Sequence, residues 1–204
     1  MVLDRLSEVL FSDYRGPKAS ITEAHVIKAI ISIGKAKNIG RGKLGQVLDL
    51  GQGEVRTLIR RLKDGTFIEV TPSGCTLTPL GRKQYDSIMK VIPWFGEVPC
   101  ASLDLGKTCF AILVRGRSSK VKLGLEQRDA AIRFGSSGAL TIFYLQGRFK
   151  IPVEDRDCES GSSEEPWKTI RSASPKENDT VIISGGRDKL SAEYGAFSAA
   201  LTLI

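Results

Sequence analysis

Residues 53–64, GEVRTLIRRLKD, constrain the fold more tightly than any other stretch of the chain. Val55, Leu58, Ile59 and Leu62 recur at i, i+3, i+4 and i+7, which on a period of about 3.6 residues puts them on one stripe that must face a core. Arg56, Arg60 and Lys63 line the other side at i, i+4 and i+7, Arg61 flanks the row, and Thr57 adds a short polar side chain beside it. Such a helix docks by its apolar back and offers its charged front to phosphates and base edges. Periodicity establishes a helix and not its partner, so a solvated surface helix is the other reading of this segment taken alone.

The charge around it favours a polyanion. Net charge is +7 and the pI about 9.3, with fifteen basic and ten acidic residues in 1–100 against fifteen and thirteen in 101–204. Between Lys35 and Lys63 eight basic side chains face only Asp49 and Glu54. A local excess of that size suits a nucleic acid better than a small metabolite. No apolar run approaches the roughly 20 residues needed to span a bilayer, and residues 1–11, MVLDRLSEVLF, lack a signal-peptide pattern, so the expected location is cytoplasmic with no membrane partner. The four cysteines, at 75, 100, 109 and 158, form no C-x-x-C pair and have only His25 as a histidine companion. They are expected to be reduced and mostly buried, with no structural metal and no cofactor.

Upstream, residues 2–11 suggest a short amphipathic helix before the breaker SDYRGPKAS. Ser20 and Glu23 form a capping-box spacing, and the run that follows over 21–34 is apolar nearly all round, as a central buried helix would be. His25, near its start, is read as structural. Leu44, Val47 and Leu48 mark a short second helix with Arg41 and Lys43 at its start, and a turn at 51–53 leads into the basic helix. In a helix-turn-helix arrangement Gln52, Glu54, Arg56, Thr57 and Arg60 are the candidates for base edges, with Arg61 and Lys63 completing the basic helix and Arg41 and Lys43 better set for phosphate. Residues 67–70 and 75–77 read as two strands around the turn TPSG, and Thr78-Pro79 opens a closing helix with Tyr85, Ile88, Met89 and Ile92 inward. The L-x-x-V-L segment, the V-R-T-L-I-R-R-L helix and the closure G-x-x-L-T-x-x-G-R resemble prokaryotic winged-helix transcriptional regulators over residues 20–92. The resemblance implies a winged helix-turn-helix domain and duplex DNA as its partner.

The overall expectation is an α+β protein with the winged helix-turn-helix domain in 1–92, a linker in 93–99, where two prolines and a glycine break the helical period, and a separate α+β domain in 100–204. The second half reads roughly as ββαββαβα. CFAILV and TVIIS are buried strands, ALTIFYL and the segment after Gln146-Gly147 form a hairpin, and residues 154–165 form an exposed acidic loop. GLEQRDAAIRF reads as a helix with Leu125, Ala130 and Ile132 inward and Gln127, Arg128 and Arg133 outward. Two ligand-site candidates arise. Ser184, Gly185 and Gly186 follow a strand and precede a helix, a setting that can cradle an anion, although they match neither a P-loop nor a dinucleotide fingerprint and also suit an ordinary turn. Arg128 and Asp129 could hold a ligand or pair with each other. No nucleophile has a histidine partner within the second half, so no catalytic residue is assigned.

GLEQRDAAI and AEYGAFSAAL are similar to segments of archaeal proteins that join a winged helix to an uncharacterised C-terminal domain. Some archaeal riboflavin kinases share that plan, but their P-G-T-x-N-type segment is missing here. The function expected from these features is a homodimeric DNA-binding transcriptional regulator whose second domain senses a small-molecule effector or mediates assembly. The competing classes are an enzyme with a winged-helix appendage, working near Ser184 or Arg128, and a protein-interaction module.

Overall fold

A computed structural model describes residues 21–100, 103–152, 157–159 and 164–204. The expected helix at 2–11, the capping residue Ser20 and most of the acidic loop at 154–165 lie outside them. No helix among the described residues is long and apolar enough to cross a membrane. The chain divides into two compact units between Met89 and Lys90.

The first unit is built around α1 (Glu23–Ala36), which buries Val26, Ile27, Ile30, Ile31 and Ile33. Its N-cap is Thr22, and the first turn is closed by His25, whose Nδ1 accepts the Thr22 N–H at 3.2 Å and lies 2.7 Å from the Thr22 hydroxyl. Helix α2 (Arg41–Leu48) follows, and a left-handed Asp49 turns the chain into α3 (Gln52–Asp64). The hydrophobic period places α3 as expected, with Val55, Leu58, Ile59 and Leu62 buried. Strands β1 (Ile68–Thr71) and β2 (Gly74–Leu77) pair antiparallel, and Ile39 adds a bridge to Cys75 through N–H···O bonds of 3.1 and 2.9 Å. The last helix, α4 (Pro79–Val91), begins as the Thr78-Pro79 signal requires, because the Thr78 hydroxyl accepts the Gly81 N–H at 3.0 Å. Gly81 is obligatory for another reason. A β-carbon there would sit 1.9 Å from the Phe67 carbonyl, so the helix touches the hairpin backbone to backbone.

The second unit is a five-stranded antiparallel sheet in the order β3-β4-β7-β5-β6. Its elements are β3 (Trp94–Val98), β4 (Thr108–Val114), α5 (Leu125–Ile132), β5 (Gly138–Leu145), β6 (Arg148–Lys150), α6 (Glu164–Arg171), β7 (Asp179–Gly186) and α7 (Lys189–Leu201). Among the described residues the fold is therefore α+β, with seven α-helices and two sheets. Strand β7 is buried along its whole length. On one face of the sheet Ala111, Leu113, Ile142, Val181 and Ile183 meet Trp167 and Ile170 of α6. On the other lie α5 and α7, with Phe197 against Phe95 and Phe110. Gln146 and Gly147 both take positive φ between β5 and β6, the geometry of a tight two-residue hairpin turn.

Three expectations need correction. The segment 93–99 is not a linker: Trp94–Val98 is the edge strand β3, because its alternating Trp94, Gly96 and Val98 are opposite Leu113, Ala111 and Cys109 of β4. That same register brings Cys100, two residues beyond β3, within 5.4 Å Cα–Cα of Cys109, and the two form a disulfide instead of remaining reduced. Helix α5 is rotated from its expected setting: Gln127 and Ala131 are buried, while Leu125 and Ile132 face outward. Gln127 is held inside by a 2.6 Å hydrogen bond from its Nε2 to the Thr202 hydroxyl, a partner 75 residues away.

His25 is the sole histidine of the chain, and burial, aided by Lys28, lowers its pKa from 6.5 despite the opposing influence of Glu54 and Asp49. A folded-state pKa below the unfolded value means that the unfolded chain takes up a proton first as pH falls, so stability present above about pH 6.5 is lost below it. Thermal unfolding from pH 7.5 to 5.5 is expected to show a falling Tm for the native protein and a flatter profile for His25→Gln. Parallel profiles would remove His25 as the cause.

Candidate nucleic-acid interface

Helix α3 carries the site. Its buried stripe fixes its rotation, and that rotation leaves Gln52, Arg56, Arg60 and Lys63 exposed in one row along the outer side. Helix α2 begins beside the same region with Arg41 and Lys43, both exposed. Its N-cap is Gly40, so no side chain caps its first-turn N–H groups. A cleft of roughly 380 Å³ lies where the start of α2, the outer side of α3 and the hairpin meet, lined by Arg41, Arg56, Ile59, Val70, Pro72 and Ser73 among others. The hairpin tip is braced for this position. Asn38 Nδ2 donates to the Ser73 hydroxyl at 3.0 Å, the Thr71 and Ser73 hydroxyls are 2.8 Å apart, and Gly74 has φ of +142° with Asn38 and Ile39 too close for any β-carbon.

The sequence-derived residues thus divide. Arg41, Gln52, Arg56, Arg60 and Lys63 are exposed, with Arg41 and Arg56 lining the same cleft, while Lys43, also exposed, lies about 200° around α2 from Arg41. Thr57 is half-buried, and its hydroxyl donates back to the Gly53 carbonyl at 3.0 Å. Two of the residues expected at the surface have other work. Glu54 Oε2 accepts the Gly51 N–H at 2.9 Å, closing the first turn of α3, so its carboxylate is taken up by the helix end. Arg61 is only 9% exposed, because its position falls on the flank turned toward the core, about 100° or more around the helix from the Arg56–Arg60–Lys63 row. Sequence reasoning found the TPSG turn but missed its brace from Asn38 to Ser73, since that contact joins residues 35 positions apart.

The two ligand-site candidates of the second unit do not survive as drawn. Ser184, Gly185 and Gly186 are not a loop ahead of a helix but the last three residues of β7, all buried. The Ser184 hydroxyl lies 2.8 Å from that of Ser136, which also donates to the Gly185 carbonyl at 2.7 Å. A β-carbon at Gly185 would meet the Leu105 carbonyl at 2.1 Å, and one at Gly186 the Ser191 hydroxyl at 2.3 Å, so the glycines allow close chain packing. The helix end behind them is already capped: Asp188 accepts the Ser191 N–H at 2.8 Å, and that bond holds its carboxyl below the usual range. Arg128 and Asp129 are exposed and pair with each other at 3.1 Å. Among the described residues no group of histidine, cysteine and acidic side chains could hold a metal ion.

Burial separates the neighbours Arg60 and Arg61 sharply. Arg61→Ala strips the cover its stem gives the core and is expected to lower stability by about 1 kcal/mol or more, whereas Arg60→Ala at the exposed position should stay within about 0.5 kcal/mol of native. Urea unfolding of both variants checks this, and equal stabilities would contradict the assignment.

Residues 105–203 match the model of a family described as Domain of unknown function (DUF4443). No curated protein matches the sequence. Among solved structures, the chain is similar to the hypothetical protein PH0730 from Pyrococcus horikoshii OT3, at 24% identity and a TM-score of 0.71, over 90% of this chain and 93% of that one. At that identity the likeness establishes a common fold and nothing about activity.

Proposed function

We propose that the first unit is a winged helix-turn-helix module that binds duplex DNA, and that the chain is a homodimeric transcriptional regulator. One observation carries the reading: Arg56, Arg60 and Lys63 are exposed in a row on α3 beside a cleft bordered by Arg41 and the hairpin tip. In this reading α3 enters the major groove, with Arg56 and Arg60 reaching base edges and Gln52 at the helix start able to address adenine. Arg41, Lys43 and the uncapped N–H groups at the start of α2 hold phosphates, where helix N-termini and cations act together. The hairpin lies against the flanking backbone as the wing. Glu54 and Arg61 serve the helix itself. A dimer supplies two such helices to two half-sites and multiplies a modest affinity.

Assembly is the role we assign to the second unit. The burial of Ser184–Gly186 and the mutual pairing of Arg128 with Asp129 weigh against the enzyme reading centred on those residues.

Fluorescence anisotropy with genomic and random duplexes across a salt series tests the reading. Arg60→Ala is expected to cost about 1–3 kcal/mol on a selected site and to relax discrimination, while Lys43→Ala should weaken all duplexes alike and reduce the salt slope by about one. Equal losses for both variants on both duplexes would contradict this division, and no affinity at low salt would end the DNA reading.

A further inference from the structure

Large apolar side chains exposed among the described residues are Val70, Leu123, Leu125 and Ile132. Val70 borders the cleft of the first unit. The other three, 60%, 46% and 46% exposed, belong to α5 and the turn that leads into it. Single exposed apolar residues are ordinary on protein surfaces, whereas a grouped set marks a place where something docks.

The order of residues on this face identifies the occupant. Leu125 and Ile132 are seven apart and share one stripe of the helix, with exposed Arg128 and Asp129 between them. The midpoint of Leu125 and Ile132 falls between Arg128 and Asp129, so both pairs have the same centre. Two copies of α5 laid antiparallel about that centre bring Leu125 against the partner's Ile132 and Arg128 against the partner's Asp129. Apolar meets apolar and cation meets anion, twice over, as an isologous two-fold contact requires. An unrelated partner would not call for this internal symmetry. We propose that the outer face of α5 is the two-fold interface of a homodimer. It gives a surface to the dimer proposed above and rests on that reading. The contact centres on a helix of eight residues, which ranks it with the smaller and reversible protein interfaces.

Charge reversal tests the geometry on the full chain. Sedimentation equilibrium over a concentration series should show the native protein dimerising reversibly. Arg128→Asp opposes acidic side chains to acidic ones across the two-fold, and Asp129→Arg opposes basic to basic, so each variant should be monomeric at concentrations where the native protein pairs. An equimolar mixture of the two variants sets the acidic pair of one chain against the basic pair of the other, and the dimer should return. That rescue excludes misfolding as the cause of dissociation. A native chain that stays monomeric throughout, variants that dimerise unimpaired, or a mixture that fails to recover would each overturn the proposal. Duplex binding lost while the dimer persists would count against the DNA reading and leave this interface standing.

Discussion

Helix α3 has two faces with opposite demands, and the architecture of the first unit follows from meeting both. Its stripe of Val55, Leu58, Ile59 and Leu62 gains roughly 1.5–3 kcal/mol per side chain when removed from water. Its arginine row would forfeit far more than that if it were buried without partners. Only the edge of a core satisfies both, with α2 and β1 packed on α3 and solvent in front of the cations. The glycine-capped start of α2 and the braced hairpin then flank the same exposed row. The exposed basic row is thus a product of the fold's own packing logic.

The second unit is governed by β7. A strand buried at all eight positions must satisfy every backbone group through β4 and β5, and it does so in continuous antiparallel register. Polar side chains along it are accommodated one by one. Asp179, fully buried at the start of the strand, pairs with Arg115 and accepts the N–H groups of Gly116 and Lys176 at 2.9 and 2.7 Å. A buried carboxylate tolerates such a position only when charge and hydrogen bonds compensate its desolvation. At the other end Ser184 lies against Ser136, and Gly185 lets Leu105 lie directly on the strand. What the sequence presents as an anion cradle is a packing joint.

Much of the fold could be read from local signals, because those signals are themselves the causes of the structure. The period of α3, the Thr78-Pro79 start and the two-residue turn at Gln146-Gly147 each act within a few residues. The readings that failed concern side chains whose partners lie far along the chain. Gln127 counted as a surface residue until Thr202 came to meet it, and the rotation that buried it turned Leu125 and Ile132 outward. Trp94–Val98 looked like a joint because Gly96 and the flanking Pro93 and Pro99 mask a short edge strand that exists only through pairing with β4. Within the candidate site the exposed arginines were legible from spacing. The separation of Arg60 from Arg61 was not, because one step of 100° along the helix decides between solvent and core.

The most direct measurement of the central claim is amide chemical-shift mapping of the isotopically labelled full chain during titration with duplex DNA. Perturbations are expected at the start of α2, along Gln52, Arg56, Arg60 and Lys63, and at the hairpin tip around Pro72 and Ser73. The sheet of the second unit should stay silent. Shifts confined to the second unit, or none at low salt, would contradict the assignment of the α3 face as a nucleic-acid surface.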